Sequence, residues 1–102
     1  MDLNTTGTKI LTQTLYDKIV NVIFKANGTD IMIPITKKEV SGNKLNLYVY
    51  LNESYVGIFE DFRFADENGI ALTEREPGEN DLIKKDGSAG FLKSFTVTIQ
   101  NI

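Results

Sequence analysis

The chain has 102 residues, 41% of them hydrophobic and 25% charged, with a net charge of −3. That is the size of one domain, here residues 1–102, with enough apolar content to collapse rather than stay disordered. The acidic balance speaks against nucleic acid, because phosphate binding needs a concentrated positive surface. The absence of both histidine and cysteine removes the imidazole base, the thiol nucleophile and any disulfide.

Ile10, Leu11, Leu15, Ile19 and Val22 recur at helical spacing, which predicts one short helix over residues 8–17 with Thr8 as a candidate cap. From Lys18 to Lys25 the residues turn β-branched and read as a strand. Asn27-Gly28 then marks a turn, and Asp30 to Ile35 reads as a second strand with Ile31, Ile33 and Ile35 on one face. Pro34 has no N–H to give to a ladder, so this strand belongs at an edge or carries a bulge.

Ser41-Gly42-Asn43 supplies the next turn, and Lys44 to Leu51 has the strictest alternation in the chain. Leu45, Leu47, Val49 and Leu51 face one way, while Asn46, Tyr48 and Tyr50 face the other. Residues 56–75 read as a hairpin about Asn68-Gly69, with Val56, Ile58, Phe62 and Phe64 expected on one side. Residues 76–89 form the longest irregular stretch. Phe91 to Gln100 ends the chain as a strand that places Phe91, Phe95, Val97 and Ile99 together. Five or six strands that alternate rather than run continuously apolar predict a mainly β fold, an antiparallel sandwich or barrel, with one N-terminal helix.

Catalytic chemistry is hard to assemble from what remains. Ser41, Ser54, Ser88 and Ser94 have no base partner of the usual kind, nothing in the spacing supports a serine–lysine dyad, and no G-x-S-x-G surrounds them. Glu60, beside Ile58 and Phe62, is read as sitting at a strand end or a bulge that turns it outward, since a catalytic carboxylate pair needs a second member. Asp66-Glu67-Asn68-Gly69 and Glu79-Asn80-Asp81 are oxygen-rich, yet turn formation accounts for both, and neither has the ligand spacing of a calcium loop. The paired lysines, Lys37-Lys38 and Lys84-Lys85, have acidic neighbours and read as solvated charges. The expectation is a non-enzyme with no cofactor and no metal.

Tyr48 and Tyr50, with Tyr55 nearby, are the candidate interface residues. Tyrosines on the wet face of a sheet anchor protein contacts or stack on sugars. Met1 to Thr6 has no basic region followed by an apolar run, so no secretory signal is expected. No stretch is long and apolar enough for a membrane span. For a chain of this length, hydrophobic gain and ordering entropy nearly cancel, so pairing with other subunits would add stability.

Three features in order resemble a pattern found in bacteriophage tail-fibre and baseplate-associated proteins. They are the alternating strand Asn43 to Asn52 leading to Gly57-Ile58-Phe59; the acidic hairpin Ala65-Asp66-Glu67-Asn68-Gly69-Ile70-Ala71-Leu72; and the loop Asp81 to Gly87 before the closing strand Phe95 to Asn101. Thr6 to Leu11 is similar to the opening helix of such proteins. About four extra residues separate Gly57-Ile58-Phe59 from the turn, and no fibre or receptor-binding region follows, so the resemblance implies an adaptor or short virion piece. It also implies homo-oligomers, contacts with other tail proteins, assembly in the host cytoplasm and residence in the virion. It carries over no catalytic residues. Two alternatives stand beside it: a β-sandwich module binding carbohydrate or cell-wall polymer through Tyr48, Tyr50 and Tyr55, and a small acidic regulator or inhibitor of a host protein.

Overall fold

A computed structural model describes residues 1, 3–74 and 82–99. Within them the chain is mainly β with one N-terminal helix: α1 (Thr5–Lys18), β1 (Asn21–Ala26), β2 (Thr29–Pro34), β3 (Lys37–Ser41), β4 (Lys44–Leu51), β5 (Gly57–Ala65), β6 (Ile83–Lys85) and β7 (Phe91–Thr98). The strands form two antiparallel sheets, ordered β2-β1-β5-β6 and β3-β4-β7. Their facing sides share one core. Val22, Phe24, Phe59, Phe62, Phe64 and Ile83 come from the first sheet; Leu45, Leu47, Val49, Leu51 and Phe95 come from the second.

Local chemistry explains the hairpins. Asn27 and Gly28 both adopt positive φ, the conformation that a two-residue turn needs to match strand twist, and they join β1 to β2. Gly42 takes the first central position between Ser41 and Lys44 with φ 61°, joining β3 to β4. β2 is an edge strand, as Pro34 requires.

β5 departs from simple alternation. Ile23 pairs with Arg63 but Lys25 pairs with Glu60, so Asp61 and Phe62 together oppose Phe24. Asp61, at φ 58°, absorbs the extra residue as a bulge. The phase of the strand therefore shifts midway. Phe62 and Phe64 point inward as expected, but Val56 and Ile58 are exposed and Phe59 takes the core position. Glu60 stands opposite Lys25 on the outer face, turned out by the bulge.

The Asn68-Gly69 turn forms, with Gly69 at φ 80°. The return segment is held by a single bridge between Ala65 and Ala71 and by Leu72 N–H donating to Phe64 O. Within the stretch expected to be irregular, residues 83–85 form β6 against Gly57–Phe59. Glu79-Asn80-Asp81 lies outside the described residues.

The helix starts earlier than its sequence spacing suggests. Asn4, not Thr8, is the N-cap, its Oδ1 accepting from Gly7 N–H at 2.7 Å. At the other end, the Lys38 ammonium donates to Tyr16 O and to Ile19 O at 3.0 Å, and it lies 4.6 Å from the centre of the Tyr16 ring. A cation at the carbonyl end of a helix is favoured by the helix dipole and by the unpaired carbonyls there. Lys38 on β3 thus latches α1 to the second sheet. Lys38→Met keeps the stem but removes the charge. It is expected to lower stability by about 1–2 kcal/mol and to weaken the helical circular dichroism signal before the sheet melts, measured in a urea titration.

Candidate functional site

β4 lies between β3 and β7, so its solvent side is flanked by side chains from both neighbours. Tyr48 stands opposite Lys37 and Ser94, Asn46 opposite Glu39 and Thr96, and Tyr50 opposite Leu92. The polar part of this face is internally bonded. Lys37 Nζ lies 2.8 Å from Glu39 Oε1, the Tyr48 hydroxyl donates to Glu39 Oε2 at 3.4 Å, and Thr96 Oγ1 donates to Asn46 Oδ1 at 3.0 Å. The Lys37 ammonium sits 5.7 Å from the Tyr48 ring centre. The hydrogen bond with Glu39, reinforced by its charge, raises the Lys37 pKa, and the same bond lowers that of Glu39.

Tyr50 is placed differently. Its ring lies across Gly90, where any Cβ would overlap the phenol. Its backbone N–H donates to Thr36 Oγ1 at 3.1 Å. Tyr50 and Leu92 are both more than two-fifths exposed, which leaves an aromatic and an aliphatic side chain together at one end of the face.

Tyr55 does not join them. After Leu51 the chain turns, with Tyr55 N–H donating to Asn52 O, and the ring swings back onto the end of the core. It packs 6.0 Å from Phe59 and 6.5 Å from Phe24, centre to centre. Its carbonyl accepts from Lys85 Nζ at 2.8 Å. Three tyrosines were expected on one wet face; the structure brings Tyr48 and Tyr50 together and uses Tyr55 for packing, because the turn at residues 52–55 reverses its direction.

The acidic loops serve their own backbones. Asp66 Oδ1 accepts from Asn68 N–H and Ile70 N–H. Asp86 Oδ1 accepts from the backbone and the hydroxyl of Ser88, and that hydroxyl bond first of all holds the Asp86 pKa down.

The feature that helical spacing did not reveal is the orientation of α1. Ile10, Leu11, Leu15, Ile19 and Val22 recur at helical spacing, but they do not share one buried face of α1. Instead Thr8 and Thr12 are buried, with Leu15, Tyr16 and Ile19 also turned to the body, while Ile10 is 64% and Leu11 46% exposed. Thr12 satisfies itself by donating to Thr8 O at 2.7 Å, but the buried Thr8 hydroxyl has no partner among the described residues. The i, i+4 spacing of Thr8, Thr12 and Tyr16 is the signal that could have located the inward face. Over its first half the helix buries threonines and exposes Ile10 and Leu11, the reverse of an ordinary surface helix, while Leu15, Tyr16 and Ile19 keep the usual sense.

No protein-family model, curated protein or solved structure matches this chain. Among the described residues no helix is long and apolar enough to cross a membrane.

Proposed function

We propose that this protein is a non-catalytic assembly component of a bacteriophage or prophage tail or baseplate, working through contacts with other protein subunits. The observation that carries the assembly role is the inverted first half of the helix. Burying Thr8 and Thr12 while exposing Ile10 and Leu11 wastes apolar surface in an isolated chain, and it is reasonable for one whose outward helix face is covered by a neighbour. The assignment to a tail rests on the sequence resemblance.

In the culture that encodes it, the protein is expected in density-purified phage particles, detected by an antibody to the chain. Its absence from particles that are otherwise complete would remove the reading. Ile10→Ser is expected to change folding stability by no more than about 0.5 kcal/mol, the usual range for an exposed position. The same substitution should reduce incorporation into particles at least several-fold. Incorporation at the unmodified level would mean that the helix face is not the contact.

A further inference from the structure

Two open sheets have four edges, and an unpaired edge is a template for another strand unless it is blunted. Three of the four edges here are blunted, each by a different device. β2 carries Asp30 and Pro34, β3 carries Lys37, Lys38 and Glu39, and β6 is only three residues long with two lysines. β7 is eight residues long, Phe-Leu-Lys-Ser-Phe-Thr-Val-Thr, with one lysine and no proline. Among the described residues no strand pairs with its outer side.

The pairing pattern shows which groups that edge offers. Ile99 N–H donates to Asn43 O at 2.8 Å, and the register runs without a shift from Thr98–Lys44 to Phe91–Leu51. Hydrogen-bonded and non-hydrogen-bonded pairs alternate in an antiparallel ladder. The odd-numbered residues of β7 are therefore bonded to β4, and Leu92, Ser94, Thr96 and Thr98 direct both N–H and C=O away from the sheet. Tyr50 N–H agrees with this phase: it points to the β3 side, where Thr36 accepts it.

We infer that β7 is a self-association edge, and that its occupant is β7 of a second copy, paired antiparallel about a two-fold axis through Phe95. Only one register pairs all four outward residues of each strand while keeping inner faces together. In it Ser94 meets Thr96 and Leu92 meets Thr98, each twice, giving eight backbone hydrogen bonds by the alternation rule. Charge favours this register. Lys93 falls opposite Val97 of the second copy, and the two lysines stay about 14 Å apart along the strands. Glu74 lines the same gap between the sheets as Thr96 and Val97, so each Lys93 approaches the partner chain's carboxylate rather than its own kind. The inner faces align Phe95 with Phe95 and bring the exposed Phe91 toward Ile99. The two three-stranded sheets become one of six strands, closed by symmetry so that no further copy can add at this edge.

The inference gives the self-association part of the proposed function a surface, and it is testable without phage. Analytical ultracentrifugation should show the apparent mass rising from the 11.4 kDa chain toward twice that value as concentration increases from about 10 to about 500 µM. Thr96→Pro removes an N–H that points outward and leaves the β4 ladder whole, so the variant should stay monomeric while keeping its far-UV spectrum. A strictly monomeric parent over that range, or a folded Thr96→Pro variant that still dimerises, overturns the proposal. The chain has no cysteine, so a second test is clean even where Thr96→Pro fails to fold. An equimolar mixture of Ser94→Cys and Thr96→Cys proteins should give the mixed disulfide well beyond the twofold excess over each homodisulfide that random pairing produces. A ratio at the random 1:2:1 overturns the register. Presence of the protein in particles with a monomer in solution would leave the assembly role standing and refute this edge; a β7 dimer absent from particles would do the reverse.

Discussion

Phe62→Ala is expected to lower folding stability by about 3–5 kcal/mol, the range for removing a buried aromatic from a core that cannot collapse around the loss. Phe62 is 1% exposed and occupies the junction of the two sheets. Its ring stacks on Phe24 at 5.0 Å and 21°, and it meets Phe95 of the opposite sheet at 5.1 Å. Phe95 in turn meets Phe64 edge-on at 5.3 Å, and Phe24 meets Phe59 at 6.0 Å. Each such pair adds about 0.5–1.5 kcal/mol beyond the area it buries, and the truncation breaks two of them at once. A domain of this size has about 5–15 kcal/mol in total, so the variant should unfold at a much lower urea concentration with an unchanged slope. Ile70→Ala, at a 61% exposed position, is the control and should move the midpoint little. A Phe62→Ala loss below about 1 kcal/mol would mean that the aromatic cluster does not hold the sheets together.

Gly57→Ala should cost about 2–3 kcal/mol, from backbone strain and from a collision. Gly57 opens β5 with φ 121°, outside the region that L side chains adopt, and a Cβ there would overlap Oδ1 of Asn27. Asn27 has no freedom to yield. Its backbone N–H donates to Ile58 O at 2.8 Å, its Oδ1 accepts from Ile58 N–H at 2.8 Å, and its Nδ2 donates to Val56 O at 3.0 Å. Asn27 is itself held in the left-handed region by the β1–β2 turn. One residue thus makes the hairpin and fastens the start of β5 to it. Gly42→Ala gives the left-handed backbone cost without a collision, because Gly42 has φ 61° and open space around it, while the φ of 121° at Gly57 costs more. It should cost about 1 kcal/mol, the conformational part alone. Equal losses at both sites, read from urea midpoints, would show that the Asn27 clamp contributes nothing.

The bulge at Asp61 links these two positions. It admits one extra residue between Gly57, fastened to Asn27, and Phe64, paired with Val22. Without it Phe62 would point to the outer face, toward the side that carries Lys25 and Arg63. The 3.6 Å approach of Lys25 Nζ to Asp61 lies on that outer face. The inward phenylalanines and the outward charges of β5 are therefore consequences of one backbone irregularity.

Lys44–Leu51 was legible residue by residue, because period-2 alternation with no charge after Lys44 leaves one choice of inner face. The turns at Asn27-Gly28, Gly42 and Gly69 were legible for a chemical reason, since positive φ selects asparagine and glycine. Pro34 narrowed its strand to an edge or a bulge through its missing donor, and the sheet order makes it an edge. β3 was not legible. Lys-Lys-Glu-Val-Ser has the composition of a loop, and it forms a strand because β4 offers it a ladder and α1 covers Lys38. The phase of β5 was hidden as well, because alternation tells which residues share a face only until a bulge inserts one more.

For the candidate site, the sequence by itself pointed to Tyr48 and Tyr50 sharing the wet side of β4, since residues two apart share a face wherever no bulge intervenes, and β4 pairs without one. It also determined the mainly antiparallel β character and the helix at the N-terminus. Only the tertiary structure decided that Tyr55 folds back onto Phe24 and Phe59, that α1 turns Thr8 and Thr12 inward and Ile10 outward, and that β7 has no strand on its outer side among the described residues. Local periodicity constrains how side chains sit relative to their own backbone. The direction in which an element docks, and which strand is left without a neighbour, depend on surfaces far away in the chain.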